Sequence, residues 1–154
     1  DPEIMNVLPT LVNFGNICIE IANGNLKEVE MTGEDVVVTY LAPQTYGGKN
    51  PQWKGDNRLE VRRLKGMVFD PPPNLWVYPG SVRENEDGTW DALSSRTLAF
   101  VGRGNTIEEA REVSLQAADE VLEENPHLWK RTDIASREHI QSSVDHMARI
   151  RKGA

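Results

Sequence analysis

The chain has 154 residues, a length for one domain with or without appendages and enough to bury a core without disulfides or metals. With 38% apolar and 27% charged residues it is not a disordered chain, and a net charge of −7 argues against a nucleic-acid partner, which needs a basic face. No apolar run reaches the roughly 20 residues of a membrane span, and the single cysteine excludes an internal disulfide and fits a reducing, cytoplasmic compartment.

No segment reads as a signal peptide. The chain opens at Asp1 without an initiator methionine, which is read as processing, a fragment or one half of a split protein.

Residues 1–24 read as helical, because Ile4, Leu8 and Leu11, then Phe14, Cys18 and Ile21, recur at three- and four-residue steps. Pro9 divides them into a short helix and a second one from about Phe14 to Ala22. Asn13 is the expected N-cap, and Asn23-Gly24 the expected stop. Cys18 sits between two isoleucines and reads as a small buried hydrophobe.

Residues 26–101 read as β. Val36–Leu41 is a β-branched strand of buried type, Leu75–Tyr78 a second and Thr97–Val101 a third. Glu86-Asp87-Gly88-Thr89 reads as a hairpin turn, Asp-Gly supplying the positive φ values. Residues 43–58 are loop-rich, and Pro71-Pro72-Pro73 cannot join a central strand.

Residues 105–124 give the clearest helix. Thr106-Ile107-Glu108-Glu109 is a capping box. Ile107, Ala110, Ser114, Ala117 and Val121 share one face opposite the acidic residues, and Pro126 marks the end. A last helix from about Ser136 to Ile150 has Ser136 as its cap and a narrow stripe of Ile140, Val144 and Met147. Its basic residues collect where the helix dipole favours them.

Few residues carry chemistry. Glu108-Glu109 and Glu123-Glu124 read as a solvated face. His127, His139 and His146 read as surface residues without metal-ligand spacing. Gly102-Arg103-Gly104-Asn105 reads as a tight strand–helix turn rather than a phosphate loop. Two loops are richer: Thr45-Tyr46-Gly47-Gly48-Lys49 after a buried strand, and Ser94-Ser95-Arg96 before one. Small residues expose amides, and an arginine adds a bidentate donor suited to phosphate.

Several strings in order resemble the phosphoribosylamine–glycine ligases (glycinamide ribonucleotide synthetases) of the ATP-grasp superfamily. Asp1-Pro2-Glu3 with Val7-Leu8-Pro9 resembles the stretch after that family's Asn-x-Arg-x-Gly. Val38–Ala42 with Tyr46-Gly47-Gly48 is similar to its strand and Gly-Gly-Tyr-Pro-Gly loop, and Trp76–Ser81 to its Phe-His-Ala-Gly-Thr strand end. Ser94–Val101 resembles Gly-Gly-Arg-Val-Leu, Gly104–Ala110 resembles Gly-Asp-Thr-Leu-x-x-Ala, and Arg131-Thr132-Asp133-Ile134 resembles the closing Tyr-Arg-x-Asp-Ile-Gly. The Gly-rich loop is altered, both glycines before Arg96 are serines, residues 49–74 are longer and more basic, and residues 136–154 run past the usual end. These departures hint at a divergent, archaeal-type lineage.

The resemblance implies an α+β fold: an antiparallel β barrel or sandwich-like C-terminal domain over residues 26–126 with one packed helix. Residues 1–25 would finish the ATP-grasp domain, and residues 127–154 would form a helical tail. It implies ligation of 5-phosphoribosylamine to glycine with ATP cleaved to ADP and phosphate, through glycyl phosphate, with magnesium or manganese on the nucleotide phosphates. The family's metal ligands and ATP pocket would lie upstream of Asp1. The chain alone is therefore expected to bind neither ATP nor metal strongly, to have no catalytic residue and to be inactive. Its partner would be the missing N-terminal ATP-grasp portion, with no nucleic acid and no membrane. Ser94, Ser95 and Arg96, with Tyr46, Gly47 and Gly48, are the expected substrate-binding residues. Two alternatives stay open: another ATP-grasp carboxylate–amine ligase, or a non-catalytic module docking a partner through the basic stretch Lys54 to Lys65 and the tail helix.

Overall fold

The computed structural model describes residues 2–153; Asp1, which opens the Asp-Pro-Glu string, and Ala154 lie outside the described residues. In chain order the elements are α1 (Pro2–Val7), a 3-10 turn (Leu8–Thr10), α2 (Phe14–Ala22), β1 (Asp35–Pro43), a 3-10 turn (Tyr46–Gly48), β2 (Arg58–Leu59) and α3 (Arg62–Phe69). There follow β3 (Leu75–Pro79), β4 (Val82–Glu84), β5 (Trp90–Ala92), β6 (Leu98–Gly104), α4 (Ile107–Glu124), β7 (Leu128–Trp129) and α5 (Arg137–Lys152).

The fold is α+β with antiparallel sheets, as expected, but no closed barrel forms among the described residues. One sheet has the order β3-β6-β1-β7 and the other β2-β5-β4. A single core joins them: Leu41, Leu75, Val77, Leu98 and Phe100 of the first sheet pack with Leu59, Trp90 and Ala92 of the second and with Ala117, Ala118 and Val121 of α4. Alternation along β1 sends Val37, Thr39 and Leu41 to this side and Val36, Val38 and Tyr40 to the other, where they meet Ala99, Val101 and Met5 of α1.

α4 begins on its capping box. The Thr106 hydroxyl accepts from the Glu109 amide at 3.2 Å, and the Glu109 carboxylate reaches back to the Asn105 amide at 2.8 Å. Ala110, Ser114, Ala117 and Val121 are buried as read, whereas Ile107 at the first turn is exposed and Ala118 joins the buried face. Asn125 caps the far end. It is fully buried, accepts from the Glu60 amide at 2.8 Å and donates to the Val121 and Glu60 carbonyls.

The hairpin turn between β4 and β5 lies where the Asp-Gly pair places it, but only Gly88 takes a positive φ, 78°. The Asp87 carboxylate instead accepts from the Thr89 amide and hydroxyl, which holds it below its ordinary range.

Four readings are corrected. Asn13 is not a side-chain cap: it is left-handed, φ 55°, and its carbonyl accepts the first helical bonds. Cys18 is exposed, because no face of the nine-residue α2 is buried. The stretch read as a basic loop holds α3, so a second helix packs on the core through Leu64, Met67 and Val68. His127 is half-buried rather than a surface residue; burial, outweighing the nearby Asp56, lowers its pKa.

Two outcomes check this packing. Asn125→Ala leaves buried partners unsatisfied and should cost about 2–3 kcal/mol in urea unfolding; a change under about half a kcal/mol would contradict the role given to it. Cys18 in the folded chain should react stoichiometrically with a thiol reagent without denaturant, and protection from it would mean that α2 is covered.

Candidate functional site

The richest opening is a cavity of about 520 Å³ beside β1. β1 supplies Val36 to Tyr40 and Ala42, the turn after it Tyr46 and Gly47, and α1 supplies Asn6. The segment after β7 supplies Trp129, Lys130, Arg131, Ile134 and Ala135, and Arg96 enters from the loop before β6.

Arg96 is held by stacking. Its guanidinium carbon lies 5.1 Å from the centre of the Tyr40 ring and 5.5 Å from that of Tyr46. A guanidinium between two ring faces keeps its N–H edge for an in-plane acceptor. The backbone beneath is fixed from the turn after β3, since the Ser81 amide donates to the Arg96 carbonyl and the Gly80 amide to that of Thr97, both at 2.8 Å. Gly80 fits there for want of a side chain: a Cβ would stand 2.8 Å from the Arg96 carbonyl oxygen. Tyr40 is steadied by donating its hydroxyl to the Met5 sulfur at 3.3 Å.

The Tyr46–Gly48 turn rests on Trp129. Gly47 and Gly48 both take positive φ, 66° and 72°, which suits glycine. A Cβ on Gly47 would touch the Trp129 ring at 3.5 Å. The indole N–H donates to the Pro43 carbonyl at 3.0 Å, and the Lys49 ammonium lies 5.6 Å from the ring centre. Across the cavity Arg111 of α4 donates to the Ile134 and Thr132 carbonyls and pins the far wall.

The other two cations here are already paired. The Lys130 ammonium is 2.7 Å from Asp119, and Arg131 donates through Nε to Asp133 at 2.9 Å. That bond holds the Asp133 carboxyl down at about 2 and pushes Arg131 up. Among the described residues no carboxylate pairs with Arg96.

Of the six residues expected to bind substrate, Tyr46, Gly47 and Arg96 line this cavity. Ser95 lines an adjoining cavity of about 360 Å³ with Met5, Tyr40, Gly80, Ser81 and Arg96. Ser94 and Gly48 are both exposed, and neither lines either cavity. Tyr40, Trp129 and the Lys130-Arg131 pair were missed. An aromatic near the end of a β-branched strand and the Trp-Lys-Arg run after Pro126 are the signals that point to them.

Among the described residues no group of three or more His, Cys, Asp or Glu side chains is arranged to hold a metal ion. No helix among them is long and apolar enough to cross a membrane.

No family model matches the chain. Individual relatives do. It is 34% identical to the phosphoribosylamine–glycine ligase of Methanopyrus kandleri, over 98% of this chain and 32% of that relative. It is 35% identical to that of Pyrococcus furiosus, over 98% and 31%, and 30% identical to that of Methanothermobacter thermautotrophicus, over 98% and 32%. The chain spans about a third of the length of the curated relatives it matches. The resemblance read from the short strings thus extends over nearly all of it.

The carboxylate of Asp133 gives a pH test. Its folded pKa, about 2, lies below the ordinary 3.8. Its pairing with Arg131 therefore stabilises the fold fully above about pH 4 and is lost as pH falls toward 2. A carbon-detected titration should place its midpoint near 2; a midpoint at the ordinary value would mean that the pair does not form in solution.

Proposed function

We propose that this chain is the C-terminal portion of a phosphoribosylamine–glycine ligase, and that its cavity forms the phosphate-facing wall of the substrate site. The similarity to about a third of the length of such ligases, over 98% of the chain, supports the first part. One observation carries the second: Arg96, stacked between Tyr40 and Tyr46 with no carboxylate pairing it among the described residues, opens on the same cavity as the glycine turn at Gly47. A guanidinium edge and a turn of small residues are what a phosphate monoester takes up.

On this reading residues 1–25 complete an ATP-grasp domain, residues 26–126 form the C-terminal domain and residues 127–154 a helical tail. The whole cytoplasmic enzyme condenses 5-phosphoribosylamine with glycine and cleaves ATP to ADP and phosphate. The rest of the protein supplies the nucleotide site and the magnesium or manganese, whose chemistry is to neutralise charge on the phosphates. This chain binds and orients. Arg96 and Ser95 with the Gly47 turn hold the phosphoribosyl group, so that its amine is presented to an activated glycine carboxyl.

In a full-length enzyme, Arg96→Ala should raise the KM for 5-phosphoribosylamine roughly 10- to 100-fold, the loss of one charged contact, and leave the KM for ATP unchanged. An unaltered phosphoribosylamine KM removes the phosphate assignment. Mixing this chain with an N-terminal ATP-grasp fragment should restore glycine-dependent ATP cleavage that neither has alone.

A further inference from the structure

The far wall of the cavity is held by less than its other walls are. Residues 131–135 run between β7 and α5 with space on both sides. In front lies the cavity of about 520 Å³, and behind lies an open one of about 750 Å³ bordered by Arg111, Leu115, Asp119 and Ser136. Ala135 lines both. Lys130 fixes the start of the stretch through Asp119. α5 does not fix its end: every residue from Gln141 to Gly153 is exposed. The ion pair of Arg137 with Glu108, at 3.5 Å, lies in solvent, where such a pair contributes little. Arg131 pairs with Asp133 inside the stretch itself. Among the described residues, the hydrogen bonds that tie 131–135 to the rest of the fold come from Arg111. They run to the Thr132 carbonyl at 2.6 Å and to the Ile134 carbonyl at 3.0 Å.

The same stretch stores strain. Ala135 has φ 55°, in the left-handed region. Asn13 is the other non-glycine residue found there among the described residues, and its short polar side chain eases that conformation; alanine has no such relief. Left unheld, Ala135 would relax toward negative φ, and the rear cavity gives the wall room to move. Arg111 can oppose this because its helix is seated. Ala110 beside it is fully buried, and its carbonyl oxygen lies so near Gly102 that a Cβ there would stand 2.1 Å away. The Ser114 hydroxyl donates to the Arg111 carbonyl at 3.0 Å.

We propose that Arg111 is a positioning residue of the binding cavity: it latches the wall of Arg131, Ile134 and Ala135 against the strain at Ala135, and so keeps the cavity closed opposite Arg96. Arg111 does not line the front cavity; it acts through the two carbonyls. The inference rests on the reading of this cavity as a phosphate-ester site, and it adds the residue that sets how well the site is closed. Without the latch the wall stands in place for only a fraction of the time, and affinity falls by that fraction.

The test titrates the isotope-labelled chain with ribose 5-phosphate and follows the Arg96 Nε and Gly47 resonances, under conditions where urea unfolding shows each variant to be folded. Arg111→Gln should weaken binding roughly tenfold and shift the amides of Thr132 to Ser136. Adding Ala135→Gly to that variant should return the affinity to within about threefold of the unmodified chain, because glycine takes a left-handed φ without strain. An arginine that served stability alone would leave the affinity of the folded variant unmoved. Should Arg111→Gln not fold, Ala135→Val carries the test. It keeps Arg111 but sets a β-branched side chain at a φ it does not tolerate, and the same loss is expected. Unchanged affinity in either single variant, or a loss that glycine does not recover, overturns the latch and leaves the phosphate reading standing. Silence at Arg96 and Gly47 in the unmodified chain removes the phosphate reading, and this inference with it.

Discussion

The closeness of α4 to the sheet is the constraint on which the rest depends. A Cβ at Gly102 would stand 2.1 Å from the Ala110 carbonyl oxygen and 2.7 Å from the Ser114 nitrogen; one at Gly104 would stand 2.6 Å from the Glu109 Cβ. Side chains there would lift the helix off β6. With glycines, α4 drops until the Ser114 and Thr39 hydroxyls meet at 2.9 Å in a buried hydrogen bond. The depth of α4 then sets its exit. Asn125 reaches the Glu60 backbone, and the chain returns as β7 beside Ala42 and Pro43. That return puts Trp129 under Gly47 and closes the cavity. Two missing side chains under a helix thus fix a wall on the opposite side of β1.

The sequence carried the elements whose signals are local. The β-branched run at Val36–Leu41 and the capping box at Thr106 each state their structure within a few residues, and β1 and α4 follow them closely. What was illegible depends on distant partners. α3 has eight residues, a glycine inside and one buried leucine, so its apolar signal is a single turn's worth among arginines and lysines. β7 exists only because α4 delivers Leu128 and Trp129 to the end of β1. Cys18 and Ile107 repeat at helical spacing, yet spacing says which face residues share and nothing about whether that face is covered. The site divides the same way. Arg96, Tyr46 and Gly47 are readable as loop chemistry, whereas Tyr40 and Trp129 act through register and packing.

Charge sharpens the reading of the cavity. The chain is acidic, −7, and several of its cations are paired with carboxylates. Arg63 faces Glu120, Glu123 and Glu124, Arg83 faces Asp91, and Arg103 pairs with Glu34 while stacked 4.5 Å from the Trp76 centre. Lys130 and Arg131 are neutralised at the cavity itself. Arg96 has aromatic neighbours on its faces and none of these carboxylates at its edge. Stacking attracts a guanidinium without saturating its N–H donors, so the interaction that fixes Arg96 also leaves it available.

Apolar burial is uneven along the chain, and the unevenness bears on the proposed domains. Residues 35–129 hold the core, whereas Ile19 and Ile21 of α2 stay 60% and 58% exposed. A nine-residue helix is marginal in isolation. What fastens this one is thin: a left-handed Asn13 at its start, and bonds from the Thr32 amide to the Thr10 carbonyl and from the Val12 amide to that of Glu30. Such a segment needs an apolar partner for its open face, and the proposed place of residues 1–25 at the end of a preceding domain supplies one. The same domain would then rest against α1, whose Met5 touches the hydroxyl of Tyr40. Tyr40 stacks on Arg96, so α1 is linked to Arg96 through two side chains. The wall is thereby positioned by the part of the enzyme that, on this reading, holds the nucleotide.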